Sequence, residues 1–378
     1  MTTSSCSEHP TYALIGCGRI APNHIAAALE NGLHVSALCD LDPRLAAALA
    51  DRFSLPDTPV YSDYTRMLAE VHPQLAAIAT ESGSHARIAL DCIGAGCGVI
   101  VEKPMALSLT DADRMIAAAE QQGVVLSVCH QNRFNKSIAK IRRAVEDGRF
   151  ARMMYGTAHI RWHRGEDYYR QAPWRGRWAQ DGGALMNQCI HNIDLLRWML
   201  GDDVSEVFAY TENVVHPYIE AEDLGLALVR FTNGALGLIE GTTAVYPANL
   251  EETLYLFGER GTVKAGGKSV NRIEVWQFGD GKDDEEGIRA MFCEDPPNVY
   301  GYGHTPLYAD VLDAMRTHRA PAIDGAAGRR ALELVLAVYL SAARGTPVRL
   351  PLSACASADF EGRFEAKPVV GMRGMPLQ

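Results

Sequence analysis

Among the polar residues that interrupt the apolar stretch GGALMNQCIHNIDLL (182–196), Asn187, His191 and Asp194 share one face. Wound at ~100° per residue, they fall within an arc of roughly 60°, with Cys189, Ile193, Leu196, Met199 and Leu200 on the far side. A histidine with a pKa near ~6.5 can take a proton at neutral pH. The competing reading is a hydrogen-bonded core histidine. Asp194, one turn on, would hold the imidazole tautomer or cap a nearby backbone group. A second candidate group is Lys103, in GVIVEKP (98–104). Pro104 biases Lys103 away from helix, toward an exposed strand end. Oxidation of a secondary alcohol needs a base for the hydroxyl proton and a cation beside the developing alkoxide. His191 and Lys103 would supply these, with Asn187 positioning the hydroxyl.

Such chemistry needs a hydride acceptor, and the first third of the chain reads as its holder. TYALIGCGRIAPNH is strand, tight turn, then helix, with Gly16-x-Gly18-x-x-Ala21 in the turn. Gly16 permits the turn, Gly18 admits backbone to a pyrophosphate, and Ala21 lets helix approach strand. The N–H groups of the helix start, near Arg19 and Ile20, would hold the phosphates. HVSALCD ends in Asp40, about twenty residues on, where a carboxylate accepts ribose hydroxyls and disfavours a 2′-phosphate. NAD is therefore expected over NADP, although Arg44 lies nearby. Strands LAAIAT, GVIVEKP and VVLSVCH alternate with helices SHARIALDCIGAG and TDADRMIAAAEQQG, the last with Thr110 as its cap. That alternation predicts a doubly wound parallel sheet with ligands at the strands' carboxyl ends. Those ends bring Thr80, His85, Glu102, Lys103 and Asn132 to the cofactor.

The rest of the chain must supply a substrate wall and its scaffold. HIRWHRGEDYYRQAPWRGRW (159–178) concentrates aromatic rings, which stack on sugars and bases, and arginines, which fork onto phosphate or carboxylate. From it Trp162, Arg164, Tyr168, Trp174 and Arg175 are assigned to substrate. Arg133 and His304, the latter opening a late helix, are added. After Phe134 the pattern becomes hairpins, with Asn233-Gly234 a strong turn signal. The reading is an α/β protein: a Rossmann dinucleotide domain (11–132), an α+β substrate and oligomerisation domain with an open antiparallel sheet (133–352), and a polar tail (353–378). GDGKDDEEG (279–287) reads as a solvated loop.

Bulk properties narrow the function. The 378 residues are 47% hydrophobic and 22% charged, values of an ordinary soluble protein with a large core. The net charge of −10, with no dense basic run, argues against nucleic acid. Nine scattered cysteines without a CxxC pair point to a reducing cytoplasm and to no structural metal. No apolar run reaches ~18 residues, so no membrane span is expected. The start, MTTSSCSEHP, lacks the features of a secretory signal.

The Gly-rich turn, GVIVEKPMALS, HQNRFN and GGALMNQCIHNIDLL, in this order, resemble the Gfo/Idh/MocA oxidoreductases over roughly Tyr12 to Pro351. The resemblance implies the two domains above, joined as homodimers or homotetramers through the open sheet. It also implies hydride transfer between a nicotinamide and a carbinol carbon of a sugar or cyclitol. Gly16, Gly18 and Ala21 match the family's cofactor turn, Lys103 its EKP lysine, and His191 its active-site histidine. The position often occupied by Asp is Asn187, and the glycine run is DGG. Asn-x-x-x-His is similar to the nucleotide-sugar branch, which acts on UDP-N-acetylglucosamine or its uronate. The expectation is therefore NAD-dependent oxidation of a pyranose at C3. The alternatives are a free sugar, glycoside or inositol dehydrogenase, redox-neutral glycoside chemistry on bound NAD, and a non-catalytic NAD(P) sensor.

Overall fold

The computed structural model describes residues 10–364, apart from Asp202 and Pro297. Six strands, β1 (Thr11–Ile15), β2 (His34–Cys39), β3 (Val60–Tyr61), β4 (Leu75–Ile78), β5 (Gly98–Val101) and β6 (Leu126–Val128), make a parallel sheet ordered β3-β2-β1-β4-β5-β6. β4 and β5 are buried throughout, as in sheets covered on both faces. The first five helices are α1 (Ala21–Glu30), α2 (Pro43–Arg52), α3 (Tyr64–Val71), α4 (His85–Gly94) and α5 (Leu109–Gln122). Asp42, Asp63 and Ser108 cap α2, α3 and α5 by accepting backbone N–H bonds. The α5 cap is thus Ser108 rather than Thr110: Ser108 has the extended backbone a cap requires, and Thr110 already lies inside the helix. Strand order reverses at β1, opening a crevice at the carboxyl ends of β1 and β4.

The chain leaves this sheet through a short turn at Gln131–Phe134 and enters α6 (Lys136–Glu146). The second sheet contains β7 (Met153–Arg161), β8 (Val204–Glu212), β9 (Leu224–Phe231), β10 (Leu236–Thr242), β11 (Glu251–Gly258), β12 (Gly261–Gly266), β13 (Arg272–Phe278) and β14 (Val348–Arg349). Their order is β13-β12-β11-β7-β10-β9-β8-β14. All neighbours are antiparallel except β7 and β10, which pair in parallel. The hairpin at Asn233-Gly234 joins β9 to β10, with Asn233 Oδ1 accepting from Ala235 N. The remaining helices are α7 (Glu166–Arg170), α8 (Ile190–Leu200), α9 (Glu285–Met291), α10 (His304–Thr317) and α11 (Gly325–Arg344).

Alternation along these strands sorts the side chains. Inward residues such as Ala158, Ile160, Val229, Ile239 and Leu256 are buried, and α8 packs on β7, β10 and β11. The α11 helix spans both halves, touching α5 and β6 on one side and α8 and β8 on the other. The opposite face of the sheet carries Tyr155, Tyr210, Leu226, Leu228 and Leu236, all exposed. The early part of the tail is ordered: Leu109 N donates to Cys355 O, Ser357 N donates to Leu107 O, and Phe360 packs on Trp178 and Tyr339. The remainder, from 365, lies outside the described residues. No described helix is long and apolar enough to cross a membrane.

Candidate active site

A cleft of about 580 Å³ lies between the two sheets. The β1 turn forms its floor. Gly16 has φ +94°, and a Cβ there would sit 2.5 Å from the carbonyl carbon of Ala79. Only glycine lets the ends of β1 and β4 approach this closely. Gly18 is different: a Cβ there would meet nothing within 4 Å. It borders open cleft, where a phosphate could reach the backbone. Both glycines, Arg19, Ile20, Asp40, Thr80, His85, Glu102 and Lys103 line the cleft. Asp40 is fixed by N–H donors from Cys17 (2.7 Å) and Asp42 (2.9 Å), at a mouth that includes Leu41 and Leu45. Arg44 instead grips Asp42 at 2.8 and 2.7 Å, is exposed, and does not line the cleft. These residues fit a dinucleotide with free ribose hydroxyls.

Glu102 and Lys103 follow β5. Burial opposes the charge of Glu102, but the hydrogen bond from His24, with His304 and Lys103 close by, outweighs it and holds the carboxyl well below its usual range. His85 Nδ1 donates to Pro104 O (2.8 Å), tying α4 to the lysine loop. Lys103 Nζ donates to Asn187 O at 2.7 Å. Burial lowers the Lys103 pKa, against the opposing pull of Glu102 and Asp181.

Asn187 and His191 both line the cleft, but not on a uniform α-helix. Leu185–Cys189 is a π-helical turn that runs into α8. Such a turn bonds i to i+5, so the assumed ~100° step fails across it. Asn187 Nδ2 donates to Asp181, and Asn187 Oδ1 accepts from Gln188 Nε2. His191 Nδ1 is buried and has no hydrogen-bond partner among the described residues. Its ring meets His130 edge-on at 5.8 Å. Burial, with Lys103 and His130 adding to it, drives the His191 pKa well below normal, so the imidazole is neutral at physiological pH.

The wall opposite is arginine and aromatic. Trp162, Arg164, Tyr168, Trp174 and Arg175 all line the cleft. Three guanidiniums surround the Tyr168 ring: Arg175 at 4.1 Å, Arg164 at 5.3 Å and Arg19 at 5.6 Å. Arg164 also covers Trp162 at 4.7 Å and donates to Gln188 Oε1 at 2.9 Å. Arg19 reaches across from the first domain to Gln171 Oε1 at 2.6 Å. None of the three has a carboxylate partner among the described residues. Arg175 Nε is buried with no acceptor.

Four expected contacts are not brought to the cleft. Arg133 is buried and forks onto Asp194 at 2.7 and 2.6 Å, with Trp198 beneath it at 4.7 Å. Asp194 therefore serves Arg133 and Arg197, not the His191 tautomer. Asn132 donates to Glu252 (3.4 Å) and accepts from Ser269 (3.3 Å), at the junction with the second domain. The turn at 131–134 rotates these two side chains away and leaves Gln131 in the cleft. His304 sits behind Glu102, 3.8 Å from its Oε1, and edge-on to His24. With Cys129 these make the one group of described residues whose donor atoms, within 4.8 Å of one another, could hold a metal ion. Two of its members are already hydrogen-bonded to each other, His24 Nε2 to Glu102 at 3.1 Å, and His24 Nδ1 is on the Tyr308 hydroxyl at 2.7 Å. Conversely, Gln171, Gln188 and Tyr300 line the cleft without having been singled out. Gln188, adjacent to Asn187, is the one whose neighbourhood could have pointed to it.

The chain is similar to known proteins over most of its length. Residues 11–130 match the model of an oxidoreductase family with an NAD-binding Rossmann fold, and 138–264 match the GFO/IDH/MocA C-terminal domain. The chain is 38% identical to the WlbA dehydrogenase from Bordetella pertussis, solved in complex with NADH and UDP-GlcNAcA. That likeness covers 91% of this chain and 99% of that one, with a TM-score of 0.84. It is 28% identical to D-apiose dehydrogenase of Paraburkholderia graminis, covering 89% of each chain. It is 26% identical to myo-inositol 2-dehydrogenase of Thermotoga maritima, covering 89% of this chain and 97% of that one.

Proposed function

The chain belongs to the Gfo/Idh/MocA oxidoreductase family, and from that premise we propose that it oxidises a nucleotide sugar, a UDP-N-acetylhexosamine or its uronate, at C3 of the pyranose. The coarser statement is secure: it is an NAD-dependent dehydrogenase acting on the CH–OH of a sugar or cyclitol. One observation carries the finer reading. Arg19, Arg164 and Arg175 crowd one aromatic ring without a counter-charge, in a protein of net charge −10. Concentrated, unneutralised guanidinium is a receptor for phosphate or carboxylate. Arg19 belongs to the cofactor turn and can be met by the cofactor's pyrophosphate, but a neutral cyclitol leaves Arg164 and Arg175 unmatched.

The residues divide the work. When bound, NAD supplies the hydride acceptor. Neutral His191 accepts the hydroxyl proton, and Lys103 stabilises the alkoxide that develops as the proton leaves. Asn187 orients the hydroxyl through the second lone pair of its Oδ1. The turn of Gly16, Gly18, Arg19 and Ile20 holds the pyrophosphate, and Asp40 accepts the ribose hydroxyls. Trp162, Tyr168 and Trp174 pack the sugar and base. The exposed apolar face of the second sheet supports a homodimer or homotetramer, to be checked by light scattering. The eight cysteines among the described residues are all free, which supports a cytoplasmic location.

The test is binding to the NADH-loaded enzyme by calorimetry, comparing UDP-N-acetylglucosamine, its uronate and myo-inositol. Arg175→Ala removes a charge-assisted bond of ~1.5–3 kcal/mol and weakens the anionic ligand ~10–150-fold. Equal affinity in wild type and variant would refute the anion site.

A further inference from the structure

Asp181 lies just before the π-helical turn and is only 3% exposed. Its Oδ2 accepts from Gly176 N at 2.7 Å, in the aromatic segment. Its Oδ1 accepts from the Asn187 side chain, and the backbone carbonyl of the same residue accepts from Lys103 Nζ at 2.7 Å. Two residues thus join the substrate wall, the active-site helix and the catalytic lysine. Asp181 makes no ion pair among the described residues; its charge is met only by dipoles and, farther off, by Lys103 and Arg175. Asn187 cannot ionise, so the carboxylate of this chain comes from a residue six positions earlier.

We propose that Asp181 is a positioning residue that, acting through Asn187, supplies the counter-charge of Lys103 and fixes the Asn187 amide with its oxygen toward the substrate. The inference rests on Lys103 and His191 being the proton-handling pair. Ionised Asp181 keeps Lys103 charged and makes Asn187 donate its N–H inward. Protonated Asp181 withdraws the counter-charge and offers Asn187 a donor instead of an acceptor. Burial raises the Asp181 pKa to about 6 against the Gly176 and Asn187 bonds and the charges of Lys103 and Arg175. Tyr168 and Tyr169 also face it. Lys103 is faced in addition by Glu102, Cys129, Arg164, His130, His191 and Glu252. Burial lowers the His191 pKa well below its usual value, and an acid limb that disappears in Asp181→Asn belongs to Asp181.

The experiment uses Asp181→Asn and two readouts. The first needs no substrate: competitive acetylation of the full-length protein from about pH 5 to about pH 9, with mass spectrometry of the Lys103 peptide. Loss of the counter-charge lowers the Lys103 pKa by at least ~0.5 unit, so its reactivity near neutrality rises ~3-fold. An unchanged curve overturns the proposal. The second is the pH profile of kcat/KM on whichever sugar is turned over. Wild type falls about tenfold per pH unit below about 6, and the variant lacks that limb. Superimposable profiles overturn the proposal. If the variant does not fold, the wild-type acetylation curve decides. It must break near the Asp181 pKa, and a single smooth titration overturns the proposal. Failure of every sugar, with the acetylation result positive, would reject the substrate reading alone.

Discussion

Arg133 was expected at the substrate and lies instead at the domain junction, so Arg133→Met separates two kinds of loss. The guanidinium gives Asp194 two short bonds, 2.7 and 2.6 Å, and Arg197 adds a third at 3.1 Å. Asp194 is fully buried. Burial alone would raise its pKa, but Arg133, His130 and Arg197 together hold it far below the carboxylate range. Removing one partner of a buried pair costs ~3–5 kcal/mol. Arg197 retains one bond to the carboxylate, which favours the lower end, ~3 kcal/mol. At ~2–4 °C per kcal/mol for domains of this size, Tm falls by about 6–12 °C. The depressed pKa makes this stabilisation present above an unfolded value of ~3.9 and lost as pH falls toward the folded one. The wild-type advantage over the variant therefore shrinks in acid. Substrate KM changes less than ~2-fold, since no substrate contact is removed. Thermal melts and steady-state kinetics on the same preparations test this. An unchanged Tm with KM raised ~10-fold or more would put Arg133 back at the substrate and refute the junction role.

Further outcomes follow from the same geometry. Lys103→Ala lowers kcat ~10²–10³-fold while NADH binding, followed by fluorescence, is retained; full activity would remove its alkoxide role. Gly18→Ala folds normally, because its Cβ meets nothing, yet weakens NAD; Gly16→Ala, driven into the Ala79 backbone at positive φ, loses ~2–4 kcal/mol of stability. Equal melting temperatures for the two variants would contradict that distinction. Burial raises Glu222 to about 8, against its bonds from Leu185 N and Tyr339, so the folded state holds its proton longer than the unfolded chain. Stability contributed by that proton declines as pH rises from the unfolded value, ~4.3, through about 8. Glu222→Gln flattens that decline in Tm, and an unaltered slope would show the group is ionised in the fold.

Much of the cofactor half was legible because its signals are local. Gly16, Gly18 and Asp40 act through backbone geometry at fixed spacing from one strand, and the strand-helix alternation dictates the parallel order. The chemical half was legible in residue type more than in direction. His191 and Asn187 reach the cleft, the latter from a π-helical turn at Leu185–Cys189, whereas Asp194, one turn beyond His191 on α8, is taken by Arg133 and Arg197 at the domain junction. No single-residue pattern announces such a turn. Asn132 and Arg133 stand at a strand's carboxyl end, where ligands gather, yet one turn of tight helix sends Gln131 inward and both of them toward the second domain. His304 was drawn to the pocket by its type, and tertiary packing put Glu102 in front of it. Asp181 was hidden in a glycine run, where its role depends on a contact made only after folding. The β7–β10 parallel pair depends likewise on a long connection that hydrophobic alternation does not reveal.

The most direct test is NADH formation by the purified protein on UDP-N-acetylglucosamine, its uronate, glucose, a simple glucoside, D-apiose and myo-inositol, with NAD and with NADP, beside a His191→Ala control. The account predicts turnover with NAD on a nucleotide sugar, abolished in the control. Turnover confined to a neutral sugar or to inositol, or retained without His191, would contradict it.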